Sequence, residues 1–196
     1  MASFARAALQ KLESLPRVGG RIVTMYPPVQ LPPFLRGSVE GVHPVVGVWL
    51  RDLEEVGEIV EKWAGDLGPE GFWWVPAPET NPIGGIINHF GRSSLRLLYR
   101  GTGQEVPEGV KGRPGEEMKP TGRDPKEVLA EFRERMRLVR EGLSKLSKVD
   151  LHTPRPFLDV ATVPAMFILN HIVGHAQQHA GQIITTRKLW NAQAGS

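Results

Sequence analysis

The sequence predicts an all-α protein, a four-helix bundle preceded by a short N-terminal helix and an extended arm. Three observations carry that prediction. Five segments repeat apolar residues at i, i+3 and i+4. No segment of comparable length alternates as a strand would, so no strands are expected. Helix-opening residues, notably Asn81-Pro82 and Asp124-Pro125, stand just before two of the repeats.

In the first segment Phe4, Ala8, Leu12 and Leu15 share a stripe that Pro16 stops. Gly19 to Gly41 is rich in Gly and Pro and reads as an extended arm. Ile22, Val23, Tyr26, Phe34 and Leu35 give this arm apolar surface to lay on the bundle or on a partner chain. The second helix is expected from Pro44 to about Trp63, with Val45, Val48, Trp49, Leu53, Val56, Val60 and Trp63 on its buried face. Asn81 is expected to cap the third, with Pro82 at its first position, and that helix runs through His89 to about Arg100. Gly101 to Arg123 reads as a long polar loop, of the kind that is functional or mobile. Asp124, Pro125 and Glu127 open the fourth helix, and Val128, Phe132, Met136, Val139, Leu143 and Leu146 face inward. After a connector with Pro154 and Pro156, Thr162 to Pro164 opens a last helix that extends to about Trp190. The expected organisation is therefore an N-terminal helix and arm over 1–41, the bundle over 42–191 and a short tail over 192–196.

Composition narrows the function classes. The 196 residues are 40% apolar and 23% charged, ordinary for one soluble domain. The longest apolar runs, Ile83 to Ile87 and Val163 to Leu169, fall far short of the roughly 20 residues a membrane span needs. A net charge of +3 favours anionic small molecules. Arg133, Arg135, Arg137 and Arg140 alternate with Glu131, Glu134 and Glu141, a solvated helix face and not a nucleic-acid stripe. No cysteine is present, which removes disulfides, thiolate metal sites and a cysteine nucleophile. Met1 to Val18 is basic, with Arg6, Lys11 and Arg17 against Glu13, but no secretory apolar region follows, and a cytoplasmic protein is expected.

The histidines carry the chemistry. His171, His175 and His179 are spaced by four on one predicted helix, so neighbours in the series share a face one turn apart. His171 and His179 are about 12 Å apart along the axis, too far to grip one ion together. One adjacent pair can bind, and spacing alone leaves open which. Gly174, Ala176, Ala180 and Gly181 make this a slim helix that a neighbour can approach. His89 sits mid-helix among apolar residues, where an unpartnered imidazole is costly. A bundle builds an interior metal site from one His on a facing helix plus an i, i+4 pair; the plainer alternative is a hydrogen bond from His89 to a core neighbour.

Here the sequence resembles the DinB/YfiT-like family of metalloenzymes. His175-Ala176-Gln177-Gln178-His179-Ala180-Gly181-Gln182 is similar to the family's HxxxHxGQ ending. Trp74-Val75-Pro76-Ala77-Pro78, Asn81-Pro82-Ile83, Ile87-Asn88-His89 and Leu146 to Leu151 match further pieces, over roughly residues 42 to 191. The resemblance implies an up-down-down-up bundle, frequent homodimers, and metal ligation by His89, His175 and His179. One departure is Ala180, where many members carry Arg; it touches the anion-binding role of that arginine and not the metal.

Three imidazoles leave a coordination position open, as catalytic sites do. Zn or Ni suits such a donor set. An open position can activate water as hydroxide or hold a thiol as thiolate. With no cysteine in the chain, sulfur must come from a small-molecule thiol co-substrate. Characterised relatives include S-transferases and isomerases that use such thiols, so the resemblance implies transfer of a low-molecular-weight thiol to an electrophilic small molecule. The alternatives are a hydrolase using metal-bound hydroxide and a non-catalytic bundle acting through dimerisation. Gln182 is a candidate to orient a ligand or bound water, or to make a cap or interhelical bond. Arg96 is a candidate for a substrate anion, or for an ion pair with Glu54, Glu55 or Glu58. Those acids are also candidate partners for the outer ring nitrogens of the ligands. His43 reads as a helix cap, a pocket residue or an extra ligand, and His171 as support for the ligands or part of the core. His152 reads as a surface residue, and the tryptophans as core and loop anchors.

Overall fold

The computed structural model describes residues 31–158 and 160–195, together with the backbone of 17–18 and 21–22. The predicted helix over Phe4 to Leu15 and most of the arm lie outside the described residues. The chain divides into two units, 1–32 and 33–196. In the first, β1 (Arg17–Val18) pairs antiparallel with β2 (Arg21–Ile22).

The second unit begins with a single 3-10 turn at Pro33–Leu35. Arg36 then reaches Glu54 at 2.6 Å and Glu58 at 2.8 Å. Helix α1 (Pro44–Ala64) starts with proline at its first position, and the His43 ring caps it by accepting from the Val45 amide. Val46, Trp49, Leu50, Leu53, Val56 and Val60 form its buried stripe. Val48, expected inward, is exposed. A short turn, α2 (Pro69–Phe72), places Phe72 in the core.

Helix α3 (Ile83–Thr102) opens one residue later than the sequence suggests. Pro82, in extended conformation, is its cap residue, and Asn81 makes no capping bond. Gly103 ends it at φ 74, the left-handed conformation that glycine adopts without cost. The following loop holds a short helix α4 (Pro114–Glu117). Helix α5 (Pro125–Ser144) is capped as expected by Asp124, which accepts from the Lys126 amide at 2.8 Å. Helix α6 (Lys148–His152) carries a reciprocal Ser147–Asp150 capping box. Next comes a hairpin where the sequence suggests a plain connector. Strands β3 (Pro154–Phe157) and β4 (Ala161–Pro164) pair antiparallel, with Arg155 opposite Val163. A two-stranded ribbon consists only of edges, which tolerate the prolines that argue against a strand. Thr162 to Pro164 thus belongs to β4, and α7 (Ala165–Ala194) starts after it and runs past Trp190.

Pair contacts fix the topology. Trp49 bonds Asn170 and Asp66 bonds Arg187, so α1 and α7 run parallel. Gly91 faces Phe132 and Leu98 faces Gly142, so α3 and α5 run parallel. Gly101 meets Leu169 while His89 meets His175, so α3 and α7 run antiparallel. The bundle is up-down-down-up. Of the small residues expected to make α7 slim, Ala176 and Ala180 are buried in the bundle, whereas Gly174 and Gly181 are exposed. Both positions look into open space, and the close approach uses Gly101 and Gly91 of α3. No helix among the described residues is long and apolar enough to cross a membrane. On the surface of α5, Arg133 pairs with Glu61 and Arg137 with Glu134 and Glu141.

Phe132 is buried and packs on Phe90 with ring centres 4.8 Å apart. Phe132→Ala should lower unfolding free energy by about 3–5 kcal/mol, read from denaturant melts. A loss under about 1 kcal/mol would contradict this packing.

Candidate metal centre

His89 projects from α3 where Ile86, Ile87 and Phe90 are buried and fix the backbone within the bundle. On α7 the inward face is made by Leu169, Ile172, Ala176 and Ile183, and His175 and His179 flank it one turn apart. Antiparallel packing of the two helices then brings three rings together. Nε2 of His175 lies 3.3 Å from Nε2 of His89 and 3.0 Å from Nε2 of His179. One nitrogen from each residue falls within 4.8 Å of the others. His89 and His179 are buried and His175 is half-buried.

The outer nitrogens set the tautomers. Nδ1 of His89 donates to Glu117 Oε2 at 3.0 Å, and Nδ1 of His179 donates to Gln182 Oε1 at 2.7 Å. Each ring has one proton when neutral, so both Nε2 atoms present lone pairs to His175. The His175 proton can satisfy only one of them at a time from Nε2. On Nδ1 it meets nothing, because that atom is buried without a partner. A cation would take all three lone pairs at once. Bonds of about 2.05 Å to zinc place neighbouring nitrogens about 3.3 Å apart at the tetrahedral angle and about 2.9 Å apart at a right angle. The observed 3.0 and 3.3 Å span that range. The residues fit a divalent transition metal.

Electrostatics agree. Burial, reinforced by repulsion from His179, His89, His171 and Arg96, pushes His175 down to about 3. Burial also lowers His179, against the opposing bond to Gln182. Burial alone would raise the Glu117 carboxyl, but bonds from His89 and Arg96 and the charges of Arg96 and Arg92 hold it at about 2. At neutral pH His175 is therefore held as neutral imidazole and Glu117 as carboxylate, and neutral imidazole is the form that binds metal.

The family profile of the DinB superfamily matches residues 52–183. The chain belongs to the DinB superfamily. Among solved structures, a conserved protein from Enterococcus faecalis is 15% identical, with a TM-score of 0.65 over 76% of this chain and 98% of that one. A DinB-like protein from Bacillus cereus is 21% identical, with a TM-score of 0.58 over 76% of this chain and 91% of that one. At such identities these neighbours speak to the fold alone. No curated protein matches the chain.

Within this DinB-superfamily bundle, the other candidate residues fall into place unevenly. Gln182 accepts from the His179 ring at 2.7 Å. Arg96 is buried in an ion pair, but with none of the acids named for it. It grips Glu117 through Nη1 at 2.5 Å and Nη2 at 2.8 Å, and Nη1 also donates to the Val110 carbonyl. Glu54 and Glu58 are taken by Arg36, and neither they nor Glu55 bond a ligand ring. The residue that does, Glu117, is one the sequence does not single out. Its one signal is its place in a long loop, which names no residue. His171 is exposed and not in the core, with its ring centre 5.7 Å from that of His175. His152 is exposed. Trp49 is buried, Trp73 donates to the Arg123 carbonyl, and Trp74 packs on Trp190, all as anchors.

The depressed value of His175 has a stability consequence with a definite sign. Its folded value lies below the unfolded 6.5, so the unfolded chain takes up the proton first. Metal-free protein should therefore lose stability as the pH falls through 6.5 towards 3. Urea midpoints of chelator-treated protein should drop between about pH 7 and about pH 5, and His175→Gln should flatten the drop. Equal slopes in the two proteins would refute it.

Proposed function

We propose that the protein is a metal-dependent enzyme in which His89, His175 and His179 hold one divalent cation, Zn or Ni, and that it transfers a low-molecular-weight thiol to an electrophilic small molecule. The observation that carries this reading is the convergence of three Nε2 atoms, two of them held as lone-pair donors by Glu117 and Gln182. A cation bound there supplies Lewis acidity, which lowers the pKa of a thiol or water brought to it.

The chain's own residues do the rest. Glu117 and Gln182 keep protons on the outer nitrogens. Phe90, stacked 6.0 Å from the His179 ring, shields that side from water. A cavity of about 560 Å³ begins one helical turn away, where Ile86 precedes His89 on α3 and Gln182 follows His179 on α7. Its lining combines apolar surface from Pro76, Ile86 and Leu189 with the polar side chains of Gln178, Asn81 and Thr186, and Glu79 is its one charged residue. Glu79 sits at φ 65, a conformation non-glycine residues seldom adopt and one that gathers at ligand sites. This lining favours a thiol on a neutral, hydroxyl-bearing carrier over one rich in carboxylates. In the transfer the sulfur bonds to the electrophilic carbon, the thiol proton passes to solvent, and the leaving group departs with its bonding electrons.

Hydrolysis is the weaker reading because it calls for a general base. The nearest carboxylate, Glu117, is committed to His89 and Arg96 and held at about 2. Arg96 is likewise committed and is left no free fork for a substrate anion.

Metal analysis tests the first half of the proposal. Purified wild type should carry about one equivalent of Zn or Ni, and His175→Ala should retain less than about a tenth of it. Equal metal in both proteins would sink the site. The second half is tested by offering bacillithiol, mycothiol and glutathione with a chromogenic electrophile. Chelator-sensitive conjugation with at least one is expected, and none with any would overturn thiol transfer.

A further inference from the structure

The loop after α3 is tied down along one stripe of that helix. Asn88 donates to the Glu117 carbonyl at 3.1 Å. Arg92 donates to the Gly109 and Lys111 carbonyls at 3.0 and 2.9 Å, and Arg96 to the Val110 carbonyl at 3.1 Å. One turn before His89, Gly85 lets the loop backbone close on the helix. A Cβ there would lie 2.7 Å from the Met118 carbonyl carbon and closer still to its oxygen. Residues 85, 88, 92 and 96 follow helical spacing, so one face of α3 holds the strap 109–118. His89 stands beside that face, and the strap's Glu117 reaches its Nδ1.

We propose that Glu117 is a positioning residue and that the strap and the metal centre form one coupled unit, each tightening the other. This rests on the reading of the three histidines as a metal site. His89 has one proton for two nitrogens. A cation on Nε2 requires that proton on Nδ1, and a docked Glu117 carboxylate accepts a bond only from that tautomer. Cation and strap thus select the same state of one ring, which makes their coupling positive. It is also reciprocal: the factor by which docking raises metal affinity equals the factor by which metal suppresses undocking. Outer partners of metal-bound histidines contribute about 10–100-fold to affinity, which sets the expected size. The carbonyl bonds from Asn88, Arg92 and Arg96 hold the strap without metal, so metal deepens an existing docking.

Two variants of the full chain test this. Glu117→Gln removes the carboxylate. Gly85→Ala leaves every charged group in place and pushes the strap off, while alanine favours the α3 helix. Zn²⁺ affinity would be measured by competition with a chromophoric chelator, and amide exchange followed at Val110, Lys111, Glu116 and Glu117, with and without Zn²⁺. In wild type, Zn²⁺ should slow exchange at these amides by about 10–100-fold, and both variants should lose affinity by a similar factor. Far-UV circular dichroism unchanged from wild type shows the bundle intact. One equivalent of Zn²⁺ bound as tightly by both variants, with strap exchange indifferent to metal, overturns the coupling and leaves the metal site standing. A wild type that binds no Zn²⁺ or Ni²⁺ overturns both.

Discussion

The structure turns on the antiparallel contact between α3 and α7, because it buries three imidazoles edge to edge with more lone pairs than protons between them. A buried acceptor without a donor costs about 1–3 kcal/mol. With Glu117 and Gln182 fixing two tautomers, the His175 proton cannot meet both neighbouring lone pairs, and its own Nδ1 faces no acceptor. Apolar packing on both helices compensates for this unresolved polarity. Ile87, Phe90, Leu169, Ile172 and Ile183 are all buried and hold the rings together, and burial there disfavours protonation of His175 and His179. A core chosen for stability alone would not place three histidines there.

Charge is arranged around the cluster in the same sense. Glu117 is the one carboxylate touching a ligand ring among the described residues, and two guanidinium groups, Arg96 and Arg92, lie within 3.2 Å of it. The carboxylate is outnumbered, so its negative charge is spent before it can offset that of a cation on the histidines. With such a cation in place the surroundings would stay strongly positive, which favours an anionic nucleophile over a neutral one. Ionised sulfur suits that field at neutral pH better than an un-ionised hydroxyl does, since a thiol begins far closer to ionisation than water.

Much of this is legible in the sequence, and what is not has physical reasons. The four long helices follow from apolar repeats, and the HxxxH pair with His89 follows from spacing and family resemblance, because both are local patterns. Proline composition hides the β3–β4 hairpin, since edge strands tolerate residues that interior strands reject. Of the small residues on α7, Ala176 and Ala180 face the core while Gly174 and Gly181 face outward: composition shows that a helix is slim, not which of its faces a neighbour meets. Arg96 is recognisable as lying on the stripe of His89, but its partner depends on which elements the topology sets side by side. Glu117 has no such marker. It sits 28 positions from His89 in a stretch with no apolar period, and only the folded path of the loop brings it home.

The division of labour between helices and loop explains why the site is built this way. Three rings that are to hold a cation must keep their geometry to a fraction of an ångström, and the two helices that carry them are packed along much of their lengths. A second anchor for His89 meets a different need. It must select a tautomer, which one hydrogen bond at the right nitrogen accomplishes. Such an anchor can come from a loop, provided the loop is tethered. Asn88, Arg92 and Arg96 supply that tether from the same helix that carries the ligand, so strap and ligand share one frame of reference. Any motion of α3 relative to α7 then carries Glu117 with His89, and the tautomer survives small rearrangements of the bundle. Gln182 gives His179 the same protection from within α7. His175 alone lacks an outer partner, and it is also the least covered of the three.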